Sequence, residues 1–264
     1  MPAKKAVSTG RPPVGYEPAP RETNWRKAQR TPRLTAAAPN SYADPMSLEV
    51  IEVQTGPDPT GTIIWMHGLG ADGHDFEPIV PELVRPGERA LRFVFPNAPV
   101  RPVTLNRGYP MRAWYDIVGL ERGTAQDEVG IRGSHAAVEA LIRRENERGI
   151  ATNRIALAGF SQGGAMALYI GTRHAEKLAG IMGLSCYMLL ESHFAAERTP
   201  ANQSTPIFLG HGTQDPVVSP VLGESTRRLL ESAGYAVEWH AYPMPHSVCP
   251  QEVMDIAAWL RRIL

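Results

Sequence analysis

The sequence predicts an α/β fold: a mostly parallel central sheet with helices on both faces. Three observations carry this. Short apolar runs alternate with amphipathic stretches of helical spacing along most of the chain, the pattern of repeated strand–helix units. The run Thr62-Ile63-Ile64-Trp65-Met66 is apolar without alternation, as a strand covered on both faces must be. Finally, 264 residues with 43% hydrophobic content suffice for one large domain to bury its core.

Residues 1–45 precede any patterned segment. Pro12, Pro13, Pro18, Pro20, Pro32, Pro39 and Pro45 recur too often for a helix, and few apolar residues accompany them. The segment is therefore expected to be a disordered Pro/Arg-rich N-terminal extension, with residues 46–264 forming the folded domain. Eight Lys/Arg against three Asp/Glu give the extension a net charge of +5. Since the whole chain is neutral, residues 46–264 carry −5. An Arg-rich, acid-poor leader could be a transit peptide, but its prolines oppose the amphipathic helix that such peptides form. Met46 stands just before the first pattern and is the expected true start, the leader being an artefact.

The elements follow in order. Residues 47–53 alternate polar and apolar, as a half-buried strand does. After the turn Gly56-Pro57-Asp58-Pro59 comes the central strand 62–66. It leads straight into a glycine-dense loop, His67-Gly68-Leu69-Gly70-Ala71-Asp72-Gly73-His74-Asp75. Residues 76–84 have helical spacing at Phe76, Ile79, Val80 and Leu83, interrupted by Pro78 and Pro81. A strand at 91–95 stops at Pro96. Residues 97–123 read as a long irregular stretch, a length that usually signals function. Thr124 is the expected cap of the next helix, with Asp127 in a capping-box-like position. That helix carries Ile131, Val138, Leu141 and Ile142 and ends near Gly149. A strand at 154–158 then enters a tight turn and a helix, and another strand spans 179–184. Residues 185–205 read as a second irregular insertion. Strand 206–210, helix 221–232, strand 236–242 and an amphipathic helix 253–264 complete the chain.

The chemistry centres on Gly159-Phe160-Ser161-Gln162-Gly163. A serine at G-x-S-x-G spacing between a strand and a helix is a nucleophile elbow. A serine hydroxyl needs a base, and the base needs an orienter. Groups at the carboxyl ends of parallel strands are the ones that meet, and this filter selects Asp215 and His246. The order Ser…Asp…His is that of α/β-hydrolases. His135 and His174 fall within helices, His193 in an insertion and His240 within a strand. His67 and His211 end strands near the site and are expected to brace backbone. The oxyanion of acyl transfer needs two preorganised N–H donors. The amide of Gln162, at the start of its helix, and that of Leu69, in the glycine-rich loop, are the expected pair. A metal site from His67, Asp72, His74 and Asp75 lacks the spacing of zinc motifs, so no metal is expected.

Taken together, these blocks resemble the phospholipase/carboxylesterase family of α/β-hydrolases, which includes the acyl-protein thioesterases. The matching segments are the 67–75 loop, Phe95-Pro96-Asn97-Ala98-Pro99 with Pro102-Val103-Thr104, Met111 with Trp114-Tyr115-Asp116, the elbow 159–164, and His211-Gly212 with Asp215. The resemblance covers essentially residues 46–264, the catalytic domain. It implies an α/β-hydrolase fold and hydrolysis of small carboxylic esters or thioesters without a cofactor. It also implies that Trp114 lines the substrate cleft and that Met188, in the 185–206 region, borders the acyl pocket. Two departures stand out: Pro245 precedes the histidine where relatives have glycine, and Ser185-Cys186-Tyr187-Met188 replaces a Ser-Gly…Leu-Pro pattern.

The expected function is a serine carboxylesterase acting on small or short-acyl esters through an acyl-enzyme on Ser161. An acyl-protein or other thioesterase, or a lysophospholipase, is the alternative, and a non-catalytic binding module a distant third. The triad serves ester and thioester alike. The partner is thus a small-molecule ester or thioester. A mildly acidic body does not suit nucleic acid, and no apolar run reaches the length of a membrane span. A homodimer stays open as an assembly state. Two cysteines without metal spacing and the lack of a hydrophobic signal region suggest the cytoplasm.

Overall fold

A seven-stranded sheet organises the computed structural model, which describes residues 48–85, 87–119 and 123–264. The extension expected at residues 1–45 lies outside the described residues. In chain order the strands are β1 (Val50–Gln54), β2 (Thr62–Met66) and β3 (Arg92–Pro96), then β4 (Val100–Val103) and β5 (Tyr109–Arg112). They continue with β6 (Ile155–Phe160), β7 (Gly180–Leu184), β8 (Ile207–Gly212) and β9 (Val237–Tyr242). The sheet order is β1-β3-β2-β6-β7-β8-β9, with β4 and β5 forming a separate antiparallel hairpin. Only β1 runs antiparallel to its neighbour; every other pairing in the large sheet is parallel. The mostly parallel sheet expected from the sequence is the one found.

The helices are α1 (Val80–Leu83), α2 (Glu128–Glu147), α3 (Gln162–Gly171), α4 (Glu191–Glu197), α5 (Pro220–Ser232) and α6 (Pro250–Ile263). Strand side chains alternate between faces, so each central strand feeds two cores. Ile64, Met66, Leu157, Ile181 and Leu209 pack with residues of α2, α3 and α5. Ile63, Trp65, Phe93, Ala158, Met182 and Phe208 pack with residues of α1 and α6. Residues of β2, β3, β7 and β8 are buried throughout, which accounts for their unbroken apolar runs. Among the described residues, no helix is long and apolar enough to cross a membrane.

Four local readings need correction. Residues 76–84 form no continuous helix: a 3-10 turn, Glu77–Ile79, is followed by the single turn of α1. Pro78 and Pro81 each sit in the first turn of one of these pieces, where the missing N–H costs nothing, and each ends what precedes it. The 97–123 stretch is not wholly irregular, because it contains the β4–β5 hairpin. Residues 185–205 contain α4 and a 3-10 turn, Pro200–Asn202. Helix α2 is capped by Asp127, not Thr124: the Asp127 carboxylate accepts the Gly130 N–H at 2.9 Å.

The two ends of the sheet do different work. At the amino ends of β2 and β3, Thr62 Oγ1 and Arg92 Nη1 donate to the buried Glu145 of α2 at 2.8 and 2.6 Å. Arg148 Nη1 donates to the same carboxylate at 2.8 Å. This is a buried ion cluster with every carboxylate oxygen occupied. Ser161, Asp215 and His246, the side chains selected from the sequence for the site, follow the carboxyl ends of β6, β8 and β9.

Candidate active site

The elbow is strained where the sequence places its serine. Ser161 has φ 54° and ψ −118°, a left-handed backbone that costs a non-glycine residue about 1–3 kcal/mol. Its N–H donates to Leu184 O at 2.8 Å, and its carbonyl accepts from Ala165 at 3.0 Å. The flanking glycines let backbones meet. A Cβ on Gly159 would run into the backbone of Gly163, and one on Gly163 would run into the Met66 carbonyl. So β2, β6 and the first turn of α3 close on one another, and Ser161 is pushed out at the turn.

Asp215 lies in the turn after β8 and is buried. Its Oδ1 accepts the amides of Val217 and Val218 at 2.8 and 2.9 Å. Its Oδ2 accepts from His246 Nδ1 at 2.6 Å. One oxygen is thus spent on the turn and the other holds the imidazole. That fixes the Nδ1–H tautomer and leaves Nε2 as the basic nitrogen. The His246 ring rests on the Phe160 ring, with centroids 4.7 Å apart, and Phe160 in turn contacts Phe76 at 5.7 Å. Phe160 precedes Ser161, so this contact carries His246 to the elbow. Sequence reasoning missed the Phe160 platform, although its place inside the pentapeptide was a usable signal.

The glycine-rich loop is also fixed beside the serine. A Cβ on Gly68 would sit 3.5 Å from Ser161 Cβ. Gly70 N–H donates to Arg112 O at 2.9 Å, and Gly73 N–H donates to Asn97 Oδ1 at 2.8 Å. The amide of Leu69 donates to no described group, and neither does that of Gln162 at the first position of α3. Helix starts leave such donors free and carry partial positive charge. The two amides chosen for the oxyanion thus remain available.

His67 and His211 brace backbone, as expected. His67 Nδ1 donates to Gly68 O at 2.7 Å while its Nε2 accepts the Ala98 N–H at 3.0 Å. His211 Nε2 donates to Val218 O at 3.0 Å. Burial pushes the pKa of both rings below the ordinary histidine value, so both are neutral hydrogen-bonding spacers near pH 7. The rival metal set is split: His67 is buried in these contacts, while the exposed His74 pairs with Glu77 at 2.7 Å.

Trp114 needs a correction. It has no exposed surface to offer a substrate. Its indole N–H donates to His67 O at 2.9 Å and its backbone N–H to Gln162 Oε1 at 2.8 Å. Gln162 Nε2 donates onward to Tyr115 O at 2.8 Å. The Gln162 side chain therefore ties the 114–115 block to the elbow, a role the sequence did not disclose. Met188 is also buried, but it lines a cavity of about 630 Å³, within the size range of small-molecule sites. Ser161, Asp215 and His246 are not among the residues lining that cavity.

Known proteins share this fold. Residues 48–264 match the model of the phospholipase/carboxylesterase family. Acyl-protein thioesterase 1 of Mycosarcoma maydis is 38% identical over 230 residues, which is 81% of this chain and 96% of that protein. Acyl-protein thioesterase 1 of Neurospora crassa is 43% identical over 212 residues, covering 76% and 86%. The crystal structure of Arabidopsis thaliana SOBER1 superposes with a TM-score of 0.72 at 31% identity, covering 76% of this chain and 98% of that one.

Proposed function

Because the chain belongs to the phospholipase/carboxylesterase family, with its α/β-hydrolase fold, we propose that it hydrolyses carboxylic esters and thioesters through an acyl-enzyme on Ser161. The observation that carries the reading is the 2.6 Å bond from His246 Nδ1 to a buried carboxylate that is itself locked by two amides. His246 Nε2 removes the Ser161 proton as Oγ attacks the acyl carbon. The Leu69 and Gln162 amides take the oxyanion. His246 then protonates the departing alcohol or thiol, and water repeats the sequence in reverse to release the acid. Losing one oxyanion donor typically costs about 3 kcal/mol of transition-state stabilisation.

Two substrate readings follow. Small or short-acyl esters are the first. Acyl-protein thioesters are the second, favoured by the names of the fungal relatives. The triad serves both because the acyl-transfer steps are the same and only the leaving atom differs. A panel of esters and thioesters of graded acyl length separates them by kcat/KM. Ser161→Ala is expected to abolish turnover of every member while leaving the melting curve unchanged. A fluorophosphonate probe should label Ser161 alone, and substantial turnover by the variant would sink the mechanism.

A further inference from the structure

Tyr187 carries a hydroxyl that this reaction does not use. It is half-buried on the segment after β7, with its oxygen 3.4 Å from the hydroxyl of Tyr115. Tyr115 is buried, and its hydroxyl has no other hydrogen-bond partner among the described residues. A buried O–H without an acceptor is costly, so Tyr115 donates and Tyr187 accepts. A phenol that accepts in this way still has its own proton to give. Burial raises the pKa of both phenols, so both stay protonated near neutral pH.

Tyr187 also lines the cavity of about 630 Å³, together with Gln126, Met188, Leu190, Leu222 and Thr226. Two polar groups of that wall are already committed. Gln126 Oε1 accepts the Leu190 N–H at 2.7 Å, while Thr226 Oγ1 accepts from Met188 N–H at 2.9 Å and donates to Leu222 O at 3.0 Å. The Tyr187 O–H has no acceptor among the described residues apart from the Tyr115 oxygen, which must itself donate. The wall is built on the elbow's own supports. Gln162 holds the backbone of Tyr115. Cys186, the residue before Tyr187, packs against Gly164 in the first turn of α3, where an added Cβ would lie 3.1 Å from its sulfur.

We infer that Tyr187 is a specificity-determining residue: its hydroxyl favours acyl groups bearing an oxo, hydroxyl or ether oxygen over alkyl groups of equal length. The inference rests on the acyl-transfer reading above, with the acyl chain running from Ser161 into this cavity. The hydroxyl donates a hydrogen bond and takes part in no covalent step. Filling the site with a plain alkyl chain would leave that donor unpaired, which is the arrangement that discriminates most strongly against a missing oxygen.

The test compares p-nitrophenyl levulinate with p-nitrophenyl valerate, whose acyl chains match in length and differ by one ketone oxygen. Each kcat/KM is divided by the rate constant of hydroxide-catalysed hydrolysis to remove intrinsic reactivity. The folded wild-type protein should favour levulinate by about tenfold, the discrimination of one hydrogen bond. Tyr187→Phe should bring the corrected ratio close to one, lowering levulinate turnover and raising valerate turnover, because the donor that valerate leaves unpaired is gone. A wild-type ratio near one overturns the inference without any variant, and so does a preference that Tyr187→Phe leaves intact. Failure of the wild type to hydrolyse either ester, with Ser161 unlabelled by fluorophosphonate, would instead overturn the acyl-transfer reading itself.

Discussion

Asp215 divides its two oxygens between a backbone turn and His246, and this division makes its proposed contribution testable. Oδ1 is claimed by the Val217 and Val218 amides, so only Oδ2 is free for His246. In Asp215→Asn the side-chain oxygen is needed by those same amides, which turns the NH₂ toward the imidazole. His246 Nδ1 must then accept, its proton moves to Nε2, and the base is lost. We expect kcat to fall by about 10⁴ with the melting temperature nearly unchanged, measured by turnover and thermal denaturation. The positions of Ser161, Asp215 and His246 past the ends of β6, β8 and β9 were legible in the sequence because each follows an apolar run. The roles of Phe160 and of the Gln162 side chain were not. Gln162 meets Trp114 and Tyr115 across more than forty residues, and no local pattern encodes such a contact. Trp114 was misassigned for a related reason: a large aromatic residue in a functional block reads the same whether it faces the substrate or the core.

At the scale of elements, Asp127 shows how one side chain sets both a helix and a loop. Its Oδ1 caps α2 through Gly130, while its Oδ2 accepts the Asp116 N–H at 2.9 Å and lies 3.8 Å from Arg101. A Cβ at Gly130 would collide with that carboxylate, so the glycine keeps the cap in place. Asp127→Ala should destabilise the fold by about 2 kcal/mol, a cap plus a second lost bond, as read by denaturant unfolding. Asp127→Asn should retain most of that, because its oxygen can still cap. Thr124 looked the better cap because it opens the polar run before the helix, and sequence alone offers two caps three residues apart. The central strands were legible because burial on both faces writes them as unbroken apolar runs. The β4–β5 hairpin was hidden by its own composition. Its strands have four residues each, and Pro102 faces Pro110 across them. Proline argues against a strand everywhere except in short or edge positions such as these.

For the molecule as a whole, Glu252 links stability to pH. This residue of the first turn of α6 is fully buried, and neither carboxylate oxygen has a hydrogen-bond partner among the described residues. It presses on Gly210 of β8, where an added Cβ would meet its Oε1. Burial, with a smaller contribution from Asp255, pushes its pKa up to about 8, and the nearby Cys249 amide offsets only part of that. The ordinary value of 4.5 applies once the chain unfolds. Between these two values the folded protein binds the proton and the unfolded chain does not, so stability must fall as pH rises across that window. The stabilisation is complete below about pH 4.5, declines steadily above it, and is gone once the pH exceeds about 8. A shift of this size corresponds to roughly 4 kcal/mol between the ends of the window. Glu252→Gln removes the titration while keeping the side chain's shape. Other groups titrate in both proteins alike, so the difference between their unfolding free energies isolates this one. That difference should favour the glutamine variant increasingly from pH 5 to pH 8 and level off beyond; parallel stability curves would show that Glu252 ionises in the folded protein as freely as in water.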